Sequence, residues 1–217
     1  MGIALCAGYG FQTMGLRFTT PAKAGFITGL CVALVPIGSA LFLRRPPPRA
    51  AVFGVALATV GLGMLSLNAD WRISLGDLLV LCCAISFAAQ IILTAAFAPG
   101  QPAMRLALVQ IATVAVICGA ISLTWERPWP ALTNQAAFAA VFTGVLATSF
   151  AFATQTVAQR FTSPTHTALI FSLEPVAAAI FSFLLIGESL TPRAIVGCAL
   201  ILTGMLVAET WNVKRKT

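Results

Sequence analysis

Phe11-Gln12-Thr13-Met14-Gly15-Leu16-Arg17-Phe18-Thr19-Thr20-Pro21 returns, altered, as Thr154-Gln155-Thr156-Val157-Ala158-Gln159-Arg160-Phe161-Thr162-Ser163-Pro164, 143 residues later (164 − 21). Each copy joins the end of one apolar stretch to the start of the next. Gly63-Met64-Leu65 and Gly204-Met205-Leu206 close two further matching blocks. A duplication inside so apolar a chain predicts a membrane protein made of two related halves, the usual plan of secondary transporters.

Hydrophobic residues make up 59% of the chain and charged residues 9%, with a mean hydropathy of +0.95. A soluble domain carries about 25% charged residues. Too little polar surface remains to face water on all sides, so the lipid bilayer is the expected solvent. The net charge of +7 does not indicate nucleic acid, because the basic residues stand singly or in short runs between apolar stretches. Cys6, Cys31, Cys82, Cys83, Cys118 and Cys198 all lie in apolar stretches, and none forms a CxxC pair. They read as small core residues without metal or disulfide.

A spanning helix takes about 20 apolar residues. Eight stretches qualify, near 2–17, 22–43, 50–67, 75–97, 104–124, 137–158, 165–186 and 193–210. The predicted fold class is an all-α polytopic membrane bundle. Thr20-Pro21 and Ser163-Pro164 put a capping hydroxyl before an N1 proline. Arg44-Arg45-Pro46-Pro47-Pro48-Arg49 is too polar and too proline-rich to remain helical in lipid. Trp71, Trp125, Trp129 and Trp211 fall at stretch ends, where an amphipathic ring suits the membrane interface. With both termini cytoplasmic, the inner loops and tail hold eight Lys and Arg and the outer loops five.

On that topology Arg17 faces out and Arg160 faces in, so the two copies run in opposite directions. The expected domains are a first repeat over 1–70, a second over 74–210 and a basic cytoplasmic tail over 211–217. The second repeat holds five predicted helices. Subtracting the offset puts the start of the first repeat about 70 residues before Met1, so its first two helices are missing. A shortened chain is the favoured reading, and a natural eight-helix protein the alternative.

Glu174 is the sharpest candidate site residue. It is expected about nine residues into its helix, near half depth, where a charge costs roughly 2.5–3.5 kcal/mol on insertion scales. It reads as a proton-coupling group, a ligand for a cationic solute, or a protonated structural acid. Pro175 and Pro36 interrupt corresponding helices, and paired breaks point to a transporter's binding site. Gln12 and Gln155 are repeat partners, and Gln90 and Gln110 stand in other helices. Each reads as interhelical glue or as cavity lining. His166, at the start of its helix, reads as an interfacial residue before a proton relay. Gly25/Gly29, Gly54/Gly61 and Gly197/Gly204 allow close helix packing, either within the chain or in a homodimer. No ATP-binding motif, catalytic elbow or metal cluster occurs, so neither a cofactor nor an enzyme is predicted.

Thr20-Pro21-Ala22-Lys23-Ala24-Gly25-Phe26-Ile27-Thr28-Gly29-Leu30, with Val35-Pro36, resembles the fourth helix of EamA-like drug/metabolite transporters. Ser163-Pro164-Thr165-His166-Thr167-Ala168-Leu169-Ile170-Phe171-Ser172-Leu173-Glu174-Pro175-Val176, with Gly187-Glu188, resembles their ninth. The resemblance implies ten helices in two inverted five-helix repeats, of which this chain would supply helices three to ten. It also implies transport of small metabolites, often export of amino acids or related compounds, across the bacterial inner membrane. The Gly-Glu turn of the second repeat is replaced in the first by Arg44-Arg45-Pro46-Pro47-Pro48. The competing function is a non-transporting subunit, scaffold or relic.

Overall fold

The chain is seen in a computed structural model that describes residues 1–44, 46–66, 74–125, 133–181, 183, 184, 187 and 191–213. Backbone groups in lipid must be satisfied within their own segment, which favours helix. Among the described residues every regular element is helical: α1 (Gly2–Gly15), α2 (Pro21–Gly29), α3 (Cys31–Phe42), α4 (Arg49–Ser66), α5 (Leu75–Phe97), α6 (Ala103–Trp125), α7 (Asn134–Phe142), α8 (Ala151–Ala158), α9 (Pro164–Phe171), α10 (Glu174–Phe181) and α11 (Pro192–Val213). A π-helical stretch, Thr143–Phe150, joins α7 to α8. These elements fall into eight apolar segments where the sequence predicts eight. Pro21–Phe42, Leu75–Phe97, Ala103–Thr124 and Asn134–Ala158 are long and apolar enough to cross a membrane, and Arg49–Leu65 and Pro192–Ala208 are shorter apolar helices. Large apolar side chains such as Ile37, Leu41, Phe53, Leu108, Phe138 and Leu206 point outward, the surface that lipid requires.

Caps place the ends. Thr20 Oγ1 accepts the Lys23 N–H at 3.3 Å, and Ser163 Oγ accepts the His166 N–H at 3.3 Å, each before an N1 proline. The preceding turns also match bond for bond. Leu16, Arg17 and Phe18 donate to the carbonyls of Gln12, Met14 and Gly15; Gln159, Arg160 and Phe161 donate to those of Gln155, Val157 and Ala158. Thr133 caps α7 through the Ala136 N–H, which starts that helix at Asn134 rather than the expected 137. Ser74 and Asp77 form a reciprocal capping box on α5. The Asp77 carboxylate also accepts from the Thr19 hydroxyl and lies 3.9 Å from Lys23 Nζ, tying the α1–α2 turn to α5.

The core joins α3, α4, α5, α9 and α11 through residues such as Val32, Val35, Leu62, Ile91, Leu169 and Ile201. The backbones of α4 and α11 approach closely. A Cβ on Gly54 or Gly204 would meet the other's carbonyl oxygen at under 3 Å, and the same holds for Gly61 and Gly197. Pairing Gly54 with Gly204 and Gly61 with Gly197 makes the two helices antiparallel. The register is that of the 143-residue offset (197 − 54 and 204 − 61), not the 141 of the Gly63-Met64-Leu65 match (204 − 63).

A leucine at position 204 has no room against the Gly54 carbonyl. Gly204→Leu is expected to cost about 1–3 kcal/mol. Thermal unfolding in micelles should show a clear drop, while Gly119→Ala, where nothing lies within 4 Å, should leave the midpoint unchanged.

Candidate functional site

Two of the segments that begin with a capped proline are interrupted at nearly the same point. After α2, the Leu30 N–H is shared between the Phe26 and Ile27 carbonyls, both at 3.1 Å. After α9, the Ser172 N–H is shared between Ala168 and Leu169 at 3.1 and 3.2 Å. Both are local tightenings towards 3₁₀ geometry. Cys31 then opens α3 and Glu174 opens α10, and these two positions are repeat partners (174 − 31 = 143). Pro175 follows directly and has no N–H to offer the Phe171 carbonyl. Glu174 therefore stands at a helix start, not deep inside a continuous helix as expected from sequence. The N-terminal end of α10 favours negative charge there.

Pro36 is not the matching break. It is buried within α3, which runs through it, and it does not line the cavity described next. A proline inside a packed membrane helix is tolerated where neighbours cover the freed carbonyl.

The interruptions border a cavity of about 600 Å³, within the range of small-molecule sites. Glu174, Pro175, Gln12, Gln90 and Gln155 line it; Pro36 and His166 do not. Cys31 lines it too. Glu174 is exposed to this space, and its charge is a neighbour of Tyr9 and Cys31. Among the described residues no hydrogen bond or ion pair reaches its carboxyl, and no Lys, Arg or His lines the cavity. Tyr9, the chain's one tyrosine, lies edge-on to Phe87 (centroids 5.8 Å) and Phe152 (6.3 Å). Its hydroxyl lies near Thr148 in the π-helical stretch. Phe171 completes the aromatic lining.

A chain of buried glutamines runs behind this wall. Gln90 Nε2 donates to Gln110 Oε1 at 3.0 Å and to Thr94 Oγ1 at 3.2 Å. Gln155 Nε2 donates to Gln90 Oε1 at 3.2 Å and to Gln159 Oε1 at 3.3 Å, and Gln159 Nε2 donates to the Ile91 carbonyl at 3.1 Å. Gln90 and Gln155 are thus both glue and lining. Gln155 Oε1 and Gln110 Nε2 are buried without a partner among the described residues. His166 is buried. Its Nδ1 lies 2.7 Å from Ser163 Oγ and its Nε2 lies 3.4 Å from the Ala208 carbonyl, pinning the start of α9 to α11. The cysteines are free, but Cys82 and Cys118 are exposed, against the expectation that all six are core residues. Cys6 and Cys118 sulfurs lie 3.6 Å apart. Trp71, Trp129, Glu188 and the residues from Lys214 onward lie outside the described residues.

Sequence reasoning missed Cys31, the four rings and the π-helical stretch. The offset alone leads from Glu174 to Cys31. Nothing marks Phe87, Phe152 and Phe171 among fifteen phenylalanines.

The chain matches the EamA-like transporter family over residues 74–210 and belongs to that family, which is one of transporters, not of enzymes. It is a multi-pass membrane protein. It is 34% identical over 209 residues to an uncharacterized transporter of Archaeoglobus fulgidus, covering 96% of this chain and 67% of that one. It is 28% identical to the uncharacterized transporter YwfM of Bacillus subtilis, covering 93% and 71%. A crystal structure at 20% identity superposes with a TM-score of 0.82 over 99% of this chain and 76% of the other, which shows the likeness of fold.

Gln90→Leu removes bonds to Thr94, Gln110 and Gln155. A loss of about 1–2 kcal/mol is expected. Adding Gln155→Leu should cost less than the sum of the single changes, because the two share a bond. Unfolding midpoints of the three variants in micelles check both statements.

Proposed function

We propose that the protein is a secondary transporter that carries a small organic solute by alternating access. The observation that carries this reading is the position of Glu174 and Cys31. They are repeat partners, each opens the resumed half of an interrupted helix, and both line one cavity. The antiparallel glycine contact between α4 and α11 supports two halves, 1–70 and 74–210, threaded oppositely through the membrane. Rocking of one half against the other exposes the cavity to each side in turn.

Glu174 serves as the charged group of the site, binding a proton or solute. The basic loops favour cytoplasmic termini in a bacterial inner membrane, and outward transport of an amino-acid-like or drug-like solute is the favoured direction. The second reading, a non-transporting subunit, predicts an intact fold without flux.

Proteoliposomes holding the full chain, screened with amines and amino acids under an imposed pH gradient, test the proposal. Solute accumulation should follow the gradient. Glu174→Gln should reduce gradient-driven flux at least ten-fold and flatten its pH profile, with an unchanged unfolding midpoint. Flux that ignores the gradient contradicts coupling, and an unchanged pH profile in Glu174→Gln contradicts the role of Glu174.

A further inference from the structure

We infer that this cavity selects organic ammonium monocations with an aromatic or bulky apolar body, an inference that rests on the cavity being the solute site. Charge balance is the first ground. The lining holds the Glu174 carboxyl and, among the described residues, no Lys, Arg or His. A monocation neutralises that carboxyl. An anion meets repulsion, and a zwitterion brings a carboxylate for which the lining, among the described residues, offers neutral donors such as Gln12 but no positive charge.

Helix starts do not supply the missing positive pole. At the head of α10 the carboxyl of Glu174 already occupies the favourable position, and Pro175 lacks an N–H. At the head of α3 the Leu30 N–H is held by the Phe26 and Ile27 carbonyls, and the Ala33 and Leu34 N–H groups by the Leu30 carbonyl.

The rings are the second ground. Tyr9, Phe87, Phe152 and Phe171 line the same space as the carboxyl, and aromatic faces attract cations more strongly where water is excluded. Their apolar surface also accommodates the body of the solute, in a volume of about 600 Å³ that suits a drug-sized molecule.

The third ground is an unused acceptor. Gln155 is 5% exposed and lines the cavity, and its Oε1 has no partner among the described residues. A buried carbonyl oxygen without a donor is costly, and an ammonium N–H is a donor of the right kind. The site is therefore suited to ammonium groups that carry N–H over fully alkylated ones.

Four probes with similar ring-and-chain bodies separate the possibilities: 4-phenylbutylamine, 4-phenylbutanol, 4-phenylbutyrate and phenylalanine. Titration calorimetry on the full chain in micelles should show the amine binding at least ten-fold tighter than the other three. Glu174→Gln should remove that preference, and Glu174→Asp should keep it. Phe171→Leu should weaken amine binding several-fold. Butyrate, alcohol or phenylalanine binding as tightly as the amine overturns the inference, as does a preference that survives Glu174→Gln. Should Glu174→Gln fail to fold, loss of the amine preference in Glu174→Asp overturns it equally. Counterflow in proteoliposomes keeps this apart from the transport proposal. Exchange of phenylalanine or butyrate without amine preference defeats cation selection and leaves transport standing. Amine-selective binding without exchange of any probe does the reverse.

Discussion

The contact between α4 and α11 is the constraint on which the rest depends. Lipid tails are as apolar as leucine, so helices in a membrane gain little from burying apolar side chains against each other. They associate through close packing, and closest packing needs glycine. Gly54 against Gly204 and Gly61 against Gly197 bring two backbones together with no space for a Cβ. Exchanging each glycine for its partner in the repeat maps one pair onto the other. The contact is therefore self-matching in the manner of a two-fold interface, within a single chain. Leu62 of α4 and Ile201 of α11 belong to the buried core.

Away from that seam lies the cavity, largely apolar with one carboxyl, and the chemistry collects there because the helical rule is relaxed there. Continuous helices satisfy their own backbone. The chain is interrupted at Leu30 and at Ser172–Leu173, and a π-helical stretch runs over Thr143–Phe150. All three border the same cavity through Cys31, Glu174 and Ala147. The two repeats are alike in backbone and unlike in charge. Where one resumes with a thiol, the other resumes with a carboxylate, so the cavity is polarised towards the second half.

Much of the frame was legible in the residues. Thr20-Pro21 and Ser163-Pro164 mark helix starts by local chemistry, a hydroxyl acceptor and a preset φ, and local chemistry survives folding. Glu174, Gln12, Gln90 and Gln155 stood out because polar side chains in lipid need partners or a cavity. Pro36 reads as a breaker in the sequence, but α3 runs through it because it is buried among its neighbours. Counting 143 back from Glu174 leads to Cys31 instead. The burial of His166 was hidden because it depends on α11, 42 residues further on. The aromatic lining and the π-helical stretch are products of tertiary packing, and no spacing announces them.

The account stands on halves that pass through the bilayer in opposite senses. Arg17 and Arg160 are repeat partners in exposed turns, and each can be replaced in turn by cysteine in a chain otherwise free of cysteine. Labelling intact cells with a membrane-impermeant thiol reagent, before and after permeabilisation, reads the side on which each lies. One position labelled from outside and the other only after permeabilisation is the predicted result. Both labelled from the same side would contradict the opposed halves and, with them, the cavity as a passage between compartments.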